Sequence, residues 1–244
     1  PVGHVEAGLR TYDLTAPFPE EGYRQLTDRI AHWYFAPTTK SEKALLKEGV
    51  SPKQIYVTGN TVIDALLWMQ ANLQPLEHPE KVYGSASDLI TKSDDKIILV
   101  TGHRRESFGQ GFENICQAIQ EIATGNPDVH IIYPVHLNPR VQEPVFRLLR
   151  GYKNIHLCPP LDYENFVRLM DRSHIILTDS GGIQEEAPSL NKPTLGMRDC
   201  TERPEGIAAG VVKLVGTKTE TIVQATNELL QNEALYQRMS QATN

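Results

Sequence analysis

The chain has 244 residues, 40% hydrophobic and 22% charged, enough for one large folded domain or two modest ones and unlike a disordered composition. Its formal net charge of −6 leaves no excess of Lys and Arg to neutralise a phosphate backbone or an anionic bilayer, which argues against nucleic acid and membrane as main partners. Cys116, Cys158 and Cys200 are odd in number, far apart and outside CxxC spacing, so neither a disulfide framework nor a zinc site is expected, and a reducing cytoplasm is.

In chain order, VGHVEAG reads as a strand, Pro19 to His32 as a helix, WYFAPT as a strand, SEKALLKEG as a helix and IYVTG as a strand. Two or three strands do not make a stable open sheet alone. Residues 1–75 are therefore expected to be the end of a first α/β domain, leaving through the helix NTVIDALLWMQANLQ. The start at Pro1, inside a strand, fits a chain cut from something longer. The polar stretch PLEHPEKVYGSASD predicts a linker over 76–95.

From residue 96 to 244 short apolar runs alternate with amphipathic stretches: KIILVTG, HIIYPV, NIHLCP, HIILTD, PTLGM and VVKLV. The runs are continuous and not alternating, which predicts strands covered on both faces, hence a parallel, doubly wound α/β domain. The closing stretch ETIVQATNELLQNEALYQRMSQATN reads as helical. No apolar run approaches the roughly 20 residues of a membrane span.

Ligands of open parallel sheets bind beyond the carboxyl ends of the strands, and here those ends are polar: TGHRRESFG, VHLNP, CPPLDY, TDSGG and MRDCTERPE. Ser180, Gly181 and Gly182 start a helix, where free N–H groups and the dipole favour a phosphate and glycine permits close approach. Glu186, one helical turn on, suits a ribose diol; a serine cap with acidic residues favouring the dipole accounts for the same stretch. His103 and Arg104 offer an imidazole and a planar donor to a pyrophosphate, against a solvated loop with an internal Arg–Glu pair. His136 stands at the next strand end, as a ligand or as a structural cap. A buried strand-end carboxylate is costly unless used, which favours function for Glu6, while Glu20 and Glu21 after Pro19 have the spacing of an acidic first helical turn.

Together HVEAGLRT, PFPEE, YVTGNTVIDAL, VTGHRRESFG, PVHLNP, DSGGIQEEAPSL and PTLGMRDCTERPEG resemble the non-hydrolysing UDP-N-acetylglucosamine 2-epimerases over nearly the whole chain. The resemblance implies a glycosyltransferase-B-like fold of two Rossmann-type domains, the first incomplete here, and a cytoplasmic homodimer. It implies interconversion of UDP-GlcNAc and UDP-ManNAc, serving cell-envelope polysaccharide, with no metal or other cofactor. The reaction would eliminate UDP to a 2-acetamidoglucal and add it back with a proton on the other face. By matching motifs, Glu6 and Glu20 would move the C2 proton and His103 would assist the departing phosphate. Ser180, Gly181, Gly182 and Arg104 would hold the diphosphate and Glu186 the uridine ribose. Arg104 and His136 match positions lining a second, activating UDP-GlcNAc site in bacterial members.

The family pattern also includes about 100 residues, a domain's worth, upstream of HVEAG, and a longer C-terminal helix, so weak or no activity is expected of the 244-residue chain alone. Competing expectations are a hydrolysing epimerase that releases UDP and ManNAc, a retaining glycosyltransferase, and a catalytically silent UDP-sugar-binding module.

Overall fold

The structure, a computed structural model, describes residues 1–199, 201 and 204–242; Cys200, Glu202 and Arg203 of the MRDCTERPE turn lie outside the described residues. The chain forms two compact units, one over Pro1–Ala65 and one beginning at Leu66.

In the first unit Gly3–Val5 (β1), Trp33–Ala36 (β2) and Ile55–Val57 (β3) form a parallel sheet in that order, with Glu20–Ile30 (α1) and Thr39–Lys47 (α2) between them. Thr38 caps α2 by accepting the Ser41 N–H at 3.1 Å. The apolar core is small: Ala7, Tyr34, Ala36 and Leu45. Ions supplement it. Arg10 donates to Asp28 at 2.5 Å and, through two nitrogens, to Glu48 at 2.8 and 2.9 Å, while His4 Nδ1 meets the other oxygen of Asp28. Burial pushes the Asp28 carboxyl up, but the hydrogen bonds from His4 and Arg10 outweigh it and hold the group below its ordinary range.

Thr61–Ala71 (α3) leads into the second unit, where Lys96–Thr101 (β4), Val129–Pro134 (β5), Ile155–Cys158 (β6), Ile175–Thr178 (β7), Thr194–Gly196 (β8) and Val212–Leu214 (β9) fall on the six expected runs. All pairings are parallel, in the order β6-β5-β4-β7-β8-β9. Strand order thus reverses between β4 and β7. The continuous apolar runs bury both faces. Ile98 and Val100 pack with Gln110–Gly125 (α6) residues such as Phe112 and Ile119, and Ile97 and Leu99 with Val167 and Ile183 on the opposite side.

Residues 76–95, expected as a linker, instead carry Pro79–Tyr83 (α4) and Ser87–Thr91 (α5), and Tyr83, Ala86, Leu89 and Ile90 belong to the second unit's core. The Tyr83 hydroxyl donates to the Asn165 carbonyl at 2.8 Å. Their spacing of about three residues is a helical one, obscured by the polar residues between them. Pro139–Leu149 (α7), Tyr163–Arg172 (α8), Gly181–Ser189 (α9) and Pro204–Ala209 (α10) complete the alternation. The closing stretch is two helices, Thr219–Gln231 (α11) and Glu233–Gln241 (α12). Asn232 divides them: its side chain accepts the Leu235 N–H at 3.0 Å. Among the described residues no helix is long and apolar enough to cross a membrane.

His174, just before β7, stacks on Tyr236 of α12 with ring centroids 4.1 Å apart. Burial, with Lys96 and Lys192 adding and Glu233 opposing, pushes its pKa from 6.5 down to about 4. The unfolded chain therefore binds the extra proton first as pH falls, so stability is full above the ordinary histidine value and lost between there and about 4. We expect roughly 2 kcal/mol of acid-dependent loss, after discounting for partial exposure. Urea unfolding of the protein and of His174→Phe at neutral and mildly acid pH checks this; equal losses in both would refute it.

Candidate functional site

The site of the second unit grows from the strand reversal, where the loops after β4 and β7 leave neighbouring strand ends. Hydrogen bonds tie these ends together. The hydroxyls of Thr101 and Thr178 lie 2.6 Å apart, and Thr178 also accepts the Ser180 N–H at 2.9 Å. The Asp179 N–H donates to the Thr101 carbonyl at 3.2 Å.

Asp179 is fully buried, and its Oδ2 accepts the backbone N–H groups of both His103 and Arg104 at 2.8 Å. Its Oδ1 lies 3.4 Å from His103 Nδ1. The loop is also held from below: the buried Tyr133 hydroxyl donates to the Gly102 carbonyl at 3.0 Å. A Cβ on Gly102 would meet that hydroxyl at 3.1 Å and Phe112 at 3.4 Å, so the close approach favours glycine. From the far side Arg198, 1% exposed, donates from Nε to Glu106 at 2.7 Å. Glu106 is therefore not paired within its own loop through this bond; its partner comes from beyond β8.

His136, at the end of β5, is exposed and stacks on His103 with centroids 5.3 Å apart and planes 15° apart. Its Nδ1 accepts the Asn138 N–H at 3.1 Å, so the structural role at the strand end is realised as well. Burial lowers the His103 pKa, Asp179 opposes this, and Arg104 and His136 add to the lowering.

Ser180 stands at the N-cap of α9, yet its side chain makes no capping hydrogen bond, which sets aside the plain serine-cap reading. Gly181 and Gly182 form the first turn, whose N–H groups have no partner within the helix. A Cβ on Gly182 would stand 3.9 Å from Glu186 Oε2 and 4.0 Å from Ser180 Oγ, so the turn and the Glu186 carboxylate share one side of the helix start. Glu186 is 8% exposed and accepts the Tyr163 hydroxyl at 3.0 Å. Burial pushes its pKa up; the Tyr163 bond opposes this and Glu185 adds to it.

Glu6 and Glu20 belong to the first unit. Glu6 is only partly buried, so burial does not mark it; its backbone does, with φ of +62°, a left-handed conformation uncommon outside glycine. Two residues on, Gly8 has φ of +84°, and a Cβ there would stand 2.3 Å from the Ser41 carbonyl oxygen, which fixes the glycine of HVEAG. The adjacent glutamates of PFPEE differ. Glu21 is fully buried, accepting the N–H groups of Thr11 at 2.9 Å and Tyr12 at 3.1 Å and the Gln25 amide at 2.8 Å, whereas Glu20 is partly exposed at the start of α1.

The structure thus gathers His103, Arg104, His136, Ser180, Gly181, Gly182 and Glu186 in one unit and places Glu6 and Glu20 in the other. Asp179, Tyr163 and Arg198 were not singled out by sequence. The signals were present in TDSGG, LDY and MRD, but their partners lie 76, 23 and 92 residues away.

A family model described as UDP-N-acetylglucosamine 2-epimerase matches residues 1–244. The chain is 56% identical over 246 residues to a probable UDP-N-acetylglucosamine 2-epimerase of Ralstonia nicotianae and 54% identical over 244 residues to the UDP-N-acetylglucosamine 2-epimerase of Escherichia coli K12. Each match covers the whole chain and 65% of the relative, so the chain spans just under two thirds of these relatives' length. The crystal structure of the Neisseria meningitidis UDP-GlcNAc 2-epimerase bound to UDP-GlcNAc superposes with a TM-score of 0.94 at 47% identity, over 100% of this chain and 65% of that one.

Proposed function

Since the chain belongs to the UDP-N-acetylglucosamine 2-epimerase family, with its glycosyltransferase-B-like α/β fold, we propose that it takes part in the reversible, non-hydrolysing epimerisation of UDP-GlcNAc to UDP-ManNAc. The observation that carries this reading is the meeting of His103 with the Ser180-Gly181-Gly182 turn across the strand reversal, through Asp179. A diphosphate on that turn meets unpaired N–H groups and a positive dipole end, with an imidazole on the neighbouring loop to hydrogen-bond the leaving oxygen. Glu186 accepts from the ribose diol. A carboxylate, Glu6 or Glu20, takes the C2 proton as the C1–O bond breaks and UDP leaves with the bonding pair. The other carboxylate returns a proton to the opposite face as UDP adds back. The protein works as a cytoplasmic homodimer, with Glu6 and Glu20 on its first unit and the nucleotide-binding turn on its second. Arg104 and His136 are proposed to contact a second, activating nucleotide sugar.

Incubation with UDP-GlcNAc in D₂O, followed by proton and phosphorus NMR, tests the reading. Whatever UDP-ManNAc forms is expected to carry deuterium at C2. Free ManNAc would point to the hydrolysing reaction, and broadened UDP signals without exchange to a silent nucleotide-binding module.

The grip on the ribose makes its own prediction. A diol donates well only to ionised Glu186, and because burial raises this group's pKa, UDP affinity falls on acidification sooner than an ordinary glutamate would dictate. Calorimetry at neutral pH is expected to show about 10- to 100-fold weaker UDP binding by Glu186→Gln, the range for a lost charged hydrogen bond. The variant should also lack the acid-dependent step. Retention of that step would remove Glu186 from the site.

A further inference from the structure

We propose that Asp179 is a positioning residue that holds the His103 ring in the Nδ1–H tautomer and leaves Nε2 for the leaving diphosphate. This rests on the role given to His103 above.

Three features carry it. Asp179 is fully buried at the end of β7, where a carboxylate is costly unless its oxygens are engaged. One oxygen, Oδ2, takes two backbone N–H groups at 2.8 Å, from His103 and Arg104, so the loop bearing the imidazole is seated on this carboxylate. The other oxygen, Oδ1, stands 3.4 Å from His103 Nδ1, slightly long for a hydrogen bond, as catalytic contacts often are before the ligand arrives. A carboxylate is acceptor only, so Nδ1 must carry the hydrogen for this 3.4 Å approach to close into a hydrogen bond. Nε2 then presents a lone pair in the neutral ring and an N–H in the imidazolium.

The groups around the ring agree. Arg104 and the stacked His136 both disfavour a positive imidazole, and Asp179 is the neighbour that favours it. When the anionic diphosphate of the substrate binds, the ring takes up a proton from solvent at Nε2, with Asp179 already facing Nδ1, and donates that N–H to the departing oxygen. Asp179 touches neither sugar nor phosphate in this scheme. It acts through His103, in the way that a buried aspartate orients the imidazole of a hydrolytic triad.

Nitrogen-15 NMR of histidine side chains tests this on the whole chain, with the His103 signals assigned by their loss in His103→Gln. The expected resting spectrum has a protonated Nδ1 and a pyridine-like Nε2. Asp179→Asn is nearly isosteric and its carbonyl still accepts the two backbone N–H groups, so its amide should turn toward Nδ1 and reverse the tautomer, lowering the ring's titration midpoint. The rate of C2 exchange should fall by about 10²–10⁴-fold, with UDP affinity changed less than about threefold. A resting spectrum with the hydrogen on Nε2 overturns the proposal without any variant. So does an Asp179→Asn spectrum and pH profile matching those of the parent. Tautomer reversal in Asp179→Asn alongside undiminished exchange in His103→Gln would instead leave the pairing intact and sink the catalytic role of His103.

Discussion

Arg10→Leu is expected to destabilise the first unit by about 3–5 kcal/mol, the cost of breaking a buried ion pair from one side. The arginine side chain is 2% exposed and lies between Asp28, equally buried, and Glu48. Leucine would leave two carboxylates facing an apolar side chain, with His4 left to compensate Asp28. Few apolar residues share the load, since the cluster there is Ala7, Tyr34, Ala36 and Leu45, so the unit's stability leans on these ions more than a large core would. Because Asp28 is held below its ordinary pKa, the stabilisation is present at neutral pH and fades as pH falls through the acid range. Hydrogen exchange resolved by residue should show amides of β1, β2 and α1 losing protection while β4 and β5 keep theirs. Unchanged protection in the first unit would show that the ion cluster is dispensable.

The six strands of the second unit were legible because each is a continuous apolar run, and such runs have one physical explanation in a domain of this size, burial on both faces. Their order was not legible. That β7 and not β5 begins the second wing follows from packing between residues such as Leu99 and Ile176, far apart in sequence. Composition misled at 76–95, where charged residues hide Tyr83, Ala86 and Ile90, and at Asn232, a single cap inside an otherwise periodic helix. The turn at Ser180 was legible from its glycines, since close approach and a helix start leave a local mark. Asp179 was not, because an aspartate before Ser-Gly-Gly looks like local capping chemistry, and its actual partners are amides on another strand's loop. The burial expected of Glu6 is only partial; its left-handed φ, invisible in sequence, is the physical sign of constraint at that position.

The adjacent glutamates of PFPEE offer the sharpest separation of structure from chemistry, and their substitution should have opposite consequences. In Glu21→Gln the side chain must still satisfy three donors, the N–H groups of Thr11 and Tyr12 and the Gln25 amide, but now brings an NH₂ of its own among them. These bonds hold the Glu21 carboxyl below its ordinary pKa against the burial that pushes it up, so the ionised form is the one the fold selects. A loss of about 1.5–3 kcal/mol is expected, the worth of hydrogen bonds to a buried charge. Glu20→Gln alters a partly exposed side chain at the first position of α1, where the helix dipole gains only a fraction of a kcal/mol, roughly 0.3–1, from a negative charge. Its melting temperature should stay near that of the parent, while C2 deuterium incorporation falls by about 10²–10⁴-fold, the usual worth of a positioned proton-transfer group. Thermal melts and the D₂O assay on both variants decide the matter. Equal loss of stability in the two, or full exchange in Glu20→Gln, would move the proton-transfer role away from Glu20 and leave Glu6 as the carboxylate to which the strained backbone points.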